Sequence, residues 1–169
     1  MTLRERISPG LGSILFLIAA PGTVAGVVPW WISRYQPGPP FLGFEPFRWL
    51  GLVLLPLGGV LLAETFARFA LVGRGTPAPI YPTEKLVVTG SYRFVRNPMY
   101  VAVFALVFGQ ALWFSDPGVL GYGLGLWLVV HLFVVGYEEP TLRRTFGARY
   151  DAYRGAVRRW IPRLTPWRG

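Results

Sequence analysis

The chain has no cysteine, a single histidine and only eight acidic residues in 169. Without thiols there is no disulfide frame, no thiolate nucleophile and no Cys-ligated metal. One histidine leaves no basis for a His-built metal site. Charged residues make up 15% of the sequence, against about 25% in an ordinary soluble domain. What fills the space is apolar: 53% hydrophobic and 16% aromatic residues. The charges that remain are mostly cationic, with 17 basic residues and a net charge of +9. Such a surplus suits nucleic acid or the positive-inside pattern of a membrane protein. The long apolar blocks favour the second.

Four such blocks stand out, at residues 11–32, 47–72, 98–115 and 118–137. Each is near the ~20 residues that cross a bilayer. The first ten residues are short and basic. The apolar run behind them is too long for a signal peptide and lacks a cleavage site. Pro21 and Gly22 predict a kink in the first block, and Trp30 and Trp31 close it as an aromatic belt. Residues 33–48, with Q-P-G-P-P at the centre, read as an exposed loop. In the second block Gly58 and Gly59 offer a face for close helix contact. Glu64 is a carboxylate near the end of that block, where burial at a span centre costs about 2.5–3.5 kcal/mol. It either pairs with Arg68 one turn on or lines a ligand cavity.

Residues 73–96 form a long polar loop, within which Leu86 to Val88 read as extended. Asp116, Pro117 and Gly118 make a tight turn, so the third and fourth blocks form an antiparallel hairpin. The G-Y-G-L-G-L run at 121–126 lacks the strand and βαβ unit of a dinucleotide site. It reads instead as a helix-packing face. His131, inside the same block, either bonds across the bundle or faces a ligand. Beyond Glu138 the pattern changes. Leu142, Phe146, Tyr150, Tyr153 and Val157 recur on one helical face, with arginines mostly elsewhere. This predicts an amphipathic helix lying on the membrane surface, followed by an irregular tail from Trp160.

The basic residues set an orientation. Arg4 and Arg6, then Arg74, Lys85, Arg93 and Arg96, then the arginines after Glu138 fall on one side. Arg34 and Arg48 fall on the other. Both termini and the central loop are thus expected in the cytoplasm. The expected architecture is an all-α membrane protein, one domain over residues 1–169, with about four transmembrane helices and a C-terminal interfacial helix. Residues 85–100 are its polar hub: Arg93, Arg96 and Asn97 stand at the mouth of a helix that Pro98 begins. Such a mouth suits an anionic ligand group.

The run G-S-Y-R-F-V-R-N-P-M-Y, followed by E-E-P-T-L-R-R-T-F-G-A-R-Y-D-A-Y and a basic stretch ending in I-P, resembles the isoprenylcysteine carboxyl methyltransferase family and its phospholipid methyltransferase relatives. The match covers residues 85–162. The resemblance implies an integral membrane methyltransferase that uses S-adenosylmethionine on a lipidic or small amphiphilic acceptor. By position it assigns cofactor contacts to Lys85, Leu86, Val87, Val88, Tyr92, Asn97, Pro98, Met99 and Tyr100. Glu138 takes the place of the active-site glutamate, and Arg96 can offset the cofactor carboxylate. Two positions depart from the family pattern. Asn97 replaces a histidine, and Val134 stands where the family often has an arginine that holds an acceptor carboxylate. A carboxylate acceptor is thereby disfavoured against an amine, a thiol or a neutral amphiphile. A second reading keeps the fold as a membrane binding protein without transfer.

Overall fold

A computed structural model describes residues 19–68 and 86–168. Lys85, Arg4, Arg6, Arg74 and most of the first block's opening half therefore lie outside the described residues. Among the described residues six helices carry the fold. In chain order they are α1 (Thr23–Ser33), α2 (Pro46–Arg68), α3 (Pro98–Phe114), α4 (Pro117–Phe133), α5 (Glu139–Phe146) and α6 (Ala148–Ala156). There is no strand among the described residues.

The turn chemistry is local. Pro98 and Pro117 stand in the first turns of α3 and α4, where the missing N–H has no intrahelical acceptor to lose. Ser115 ends α3 in the left-handed region, and the Asp116 carboxylate accepts from Val119 N at 2.9 Å to cap α4. The expected hairpin of the third and fourth blocks follows from these few residues.

Among the described residues, two helices are long and apolar enough to cross a membrane: Pro46–Arg68, and the continuous Pro117–Phe146 stretch that joins α4 to α5. At 1.5 Å per residue, the 23 residues of α2 reach about 34 Å, enough for a hydrocarbon core of about 30 Å. Only 28% of the α2 window and 17% of the α4–α5 window is buried inside the protein. A soluble core helix would be covered; these leave Val60, Leu124, Val129 and Leu132 outward, as lipid-facing helices do. Helices α1 and α3 are apolar but shorter.

The helices pack through small residues. α2 lies along α3, and a Cβ at Gly51 would sit 2.6 Å from Trp113 N and 2.7 Å from the Gly109 carbonyl, so no side chain fits there. Gly58 likewise faces α3, whereas Gly59 meets nothing. The 121–126 run divides the same way. Gly123 sits against Phe108 and Val107, while Gly121 and Gly125 face open space. Close packing therefore holds for one glycine of that pattern, and the other two point away from the bundle.

The kink expected near Pro21 is a π turn over Thr23–Val27, which leaves backbone carbonyls without their usual helical partners. Side chains from the other helices take them. Gln110, buried in α3, donates to the Ala25 carbonyl at 2.6 Å, and the Tyr122 hydroxyl of α4 donates to the Val24 carbonyl at 2.9 Å. In an apolar layer such a carbonyl finds no water. Gln110→Leu is therefore expected to destabilise the protein by about 1–3 kcal/mol, read as a lowered thermal midpoint in detergent. Tyr122→Phe is expected to cost less, its hydroxyl being nearer the surface.

Past Phe133 the structure corrects the expected interfacial helix. The chain does not leave the fourth block at Tyr137. A second π turn, Val134–Glu138, carries α4 straight into α5. The break comes at Gly147, whose φ of 54° and ψ of −132° are open to glycine alone. Because of that break, α6 folds back. The face formed by Leu142, Phe146, Tyr150, Tyr153 and Val157 packs on Leu86 and Val88. That apolar stripe covers protein rather than lipid.

Candidate functional site

The tail that follows α6 is irregular, as expected, but it is firmly placed. Arg96 N donates to the Arg158 carbonyl at 2.9 Å, Arg163 N to the Phe94 carbonyl at 2.8 Å and Trp167 N to the Arg93 carbonyl at 2.9 Å. The Arg93 side chain adds a bond to the Trp167 carbonyl at 2.7 Å. The tail is thus zipped along residues 93–96, and this pairing closes one end of the helix bundle.

Under this closure lies a small cleft of about 80 Å³, below the roughly 300–1,000 Å³ of a formed small-molecule site, so a ligand of cofactor size has to widen it. Its walls come from three places. Leu86, Val87, Tyr92, Arg96 and Asn97 rise from the polar hub; Glu138, Glu139, Leu142 and Phe146 descend from the π turn and α5; Tyr150 and Tyr153 close it from α6. The Tyr100 hydroxyl donates to Glu138 Oε2 at 3.1 Å, so the two regions meet in one place. The π turn explains how Glu138 and Glu139 both reach inward: the extra residue rotates the helix face just before them.

Glu139 is the electrostatic centre. It is 7% exposed and faces three guanidinium groups: Arg96 at 3.2 Å, Arg159 at 2.6 Å and Arg154 at 3.9 Å. Arg159 grips it with two nitrogens, the fork geometry that makes such pairs strong. Arg96 also donates to the Tyr150 hydroxyl at 3.3 Å. Its Nε is buried and, among the described residues, has no hydrogen-bond partner. Burial pushes the Tyr92, Tyr150 and Tyr153 hydroxyls above the usual phenol range, so all three stay neutral donors. Tyr153 spends its proton on the Tyr92 carbonyl at 2.6 Å. Tyr153→Phe is therefore expected to cost about 1 kcal/mol and to loosen the lid over the cleft, seen as faster amide exchange near Tyr92.

The residues singled out from sequence divide clearly. Leu86, Val87, Tyr92, Arg96, Asn97 and Glu138 line the cleft, and Tyr100 is bonded to Glu138. Val88 packs with the Tyr150 cluster, and Met99 packs on the transmembrane core. Pro98 is buried at the helix start. Lys85 lies outside the described residues. Asn97 donates to the Arg159 carbonyl at 3.3 Å, which fixes the tail. Val134 is fully buried. His131 accepts from Trp160 Nε1 at 3.0 Å and stacks on Trp127, so it anchors the tail and does not line the cleft. Glu64 pairs with Arg68 at 2.8 Å and accepts from Ser91 at 2.5 Å. It holds the polar hub to the end of α2 and takes no part in the cleft.

Sequence reasoning missed Glu139 as a centre and read Tyr150 and Tyr153 as interface packing. The signal for the tyrosines was present in their helical spacing with Leu142 and Phe146. The signal for Glu139 was its place beside Glu138, which only the π turn makes meaningful.

Apolar helices left largely uncovered, with polar side chains gathered in a cleft at one end of the bundle, define the class: a membrane protein. A family model for phospholipid methyltransferases matches residues 47–149, well over half the chain. The chain belongs to the phospholipid methyltransferase family and is a membrane methyltransferase. No protein of curated function matches it significantly. The matched region runs from the start of α2 into the first residues of α6 and ends just before Tyr150, so Tyr150, Tyr153 and the tail lie beyond it.

Proposed function

We propose that the protein transfers a methyl group from S-adenosylmethionine to a lipidic or small amphiphilic acceptor in the cleft between residues 86–100 and 138–153. The single observation that carries this reading is the meeting of Tyr100 with Glu138 and of Arg96 with Glu139 across one cleft. The wall residues fit such a cofactor. Arg96 brings a buried cation whose Nε lacks a partner among the described residues, which suits a carboxylate. Tyr92, Tyr150 and Tyr153 bring aromatic faces for adenine or a sulfonium cation. When bound, the cofactor supplies an electrophilic methyl group. The protein's part is chiefly orientation, since in-line displacement depends on alignment. Tyr100 holds the Glu138 carboxylate, which orients the acceptor and can take a proton from an amine or thiol. The buried tyrosines exclude water.

The acceptor is best matched by an amine, a thiol or a neutral headgroup, because Val134 places no cation near Glu138. We further propose that α1 and α3 join the two longer helices in a four-span bundle with the cleft on the cytoplasmic side, as the basic residues favour. Asn97 is spent on the tail carbonyl, which favours one alternative: cofactor binding without transfer. Labelled-methyl transfer from S-adenosylmethionine into a whole-membrane lipid extract tests both. A labelled lipid or amphiphile is expected; binding without any labelled product would leave the alternative.

A further inference from the structure

Beside α5 runs a second cavity, an open groove of about 410 Å³ lined by Val135, Glu139, Pro140 and four arginines. Arg143 and Arg144 come from α5, Arg154 from α6 and Arg159 from the tail. Glu139 alone is shared with the methyl-donor cleft. Four cations face one carboxylate, and they are not equally engaged. Arg159 is fully committed to Glu139, and Arg143 is drawn to Asp151 at 3.1 Å. Arg154 stands 3.9 Å from Glu139 with its side chain 46% exposed. Arg144 makes no ion pair among the described residues. Two guanidinium groups are therefore left to an anion from outside.

Val135 is the apolar member of the groove's lining, and beyond the groove Leu128 and Leu132 precede it on the same helical run; the three are exposed at 42%, 51% and 62% respectively. They recur four and three residues apart, so they form one stripe running up α4 to the arginines. An acyl chain below and a phosphate above is the order that this surface presents. Guanidinium forks match phosphate oxygens.

We propose that this groove binds the phosphate of a membrane lipid headgroup, with the lipid's chain along the Leu128–Leu132–Val135 stripe. The site is separate from the methyl-donor cleft and independent of which molecule accepts the methyl group. A free phosphate offers the same oxygens but no chain, so the apolar stripe decides for the lipid.

The test uses the full chain in detergent without methyl donor. Its probes are short-chain phosphatidylglycerol, a diacylglycerol of equal chain length and inorganic phosphate. Saturable phosphatidylglycerol binding is expected, weakened about tenfold in Arg144→Ala/Arg154→Ala. The double variant Arg149→Ala/Arg168→Ala removes the same charge outside the groove and is expected to change affinity by less than about twofold. Arg144→Gln alone, at an exposed unpaired position, keeps the fold and is expected to weaken binding about threefold. Equal losses in both double variants would mean diffuse charge attraction and overturn the site. Diacylglycerol binding as tightly as the phospholipid, or inorganic phosphate doing so, would overturn the lipid-phosphate assignment. Because no methyl donor is present, a failure of methyl transfer leaves this result untouched.

Discussion

Glu138→Gln is expected to lower methyl transfer by about 100-fold or more, the range that a positioned general base supplies. Gln keeps the size of the side chain and can still accept from the Tyr100 hydroxyl, now 3.1 Å from the carboxylate. It cannot take a proton or carry a charge. The loss should fall on kcat more than on KM, since the interaction matters most as the new bond forms. Tyr100→Phe removes only the group that holds Glu138 and is expected to cost less, about tenfold. The double variant should be no worse than Glu138→Gln alone, because Tyr100 acts through Glu138. An unchanged rate in Glu138→Gln would place the acceptor elsewhere.

Glu139→Ala is expected to be the most destabilising single substitution in the cleft. It leaves Arg96, with 9% of its side chain exposed, and Arg159 facing each other without the carboxylate between them. Breaking a buried pair from one side costs about 3–5 kcal/mol, much of a domain's net stability. The tail should release with it, since Arg159 and Arg96 are its charged anchors. The measurement is thermal unfolding in detergent, paired with limited proteolysis after α6. A midpoint within about two degrees of the parent, with an intact tail, would contradict this account of the network. Arg154→Ala serves as the control: at 3.9 Å and half exposed, it should change little.

Much of this molecule could be read from its residue order. The prolines at 98 and 117 with Asp116 between them announce a helix hairpin, because each acts on its own turn. Glu64 and Arg68 are one helical turn apart, and their pairing is a local matter. The stripe from Leu142 to Val157 is legible as a face, since periodicity is a property of the helix itself. What that face covers is not legible. A single glycine at 147 turns the stripe from lipid to the Leu86–Val88 segment, and a lone Gly does not announce its φ. The two π turns are likewise silent in sequence, yet one of them aims Glu138 and Glu139 together. The link between Arg96 and Glu139 depends on a tail that pairs backbone to backbone with residues 93–96. Backbone pairing leaves no trace in side-chain identity, so the tail read as irregular and nothing more. His131 and Asn97 follow the same lesson: both hold that tail.

The account rests on a cleft that residues 86–100 and 138–153 build together for a methyl donor. Calorimetric titration of S-adenosylmethionine into the detergent-solubilised chain tests it most directly. The account predicts saturable one-site binding, weakened about tenfold or more in Arg96→Ala, where a charge-assisted contact is lost. An absence of binding up to about millimolar cofactor, in a protein that still unfolds cooperatively, would contradict it.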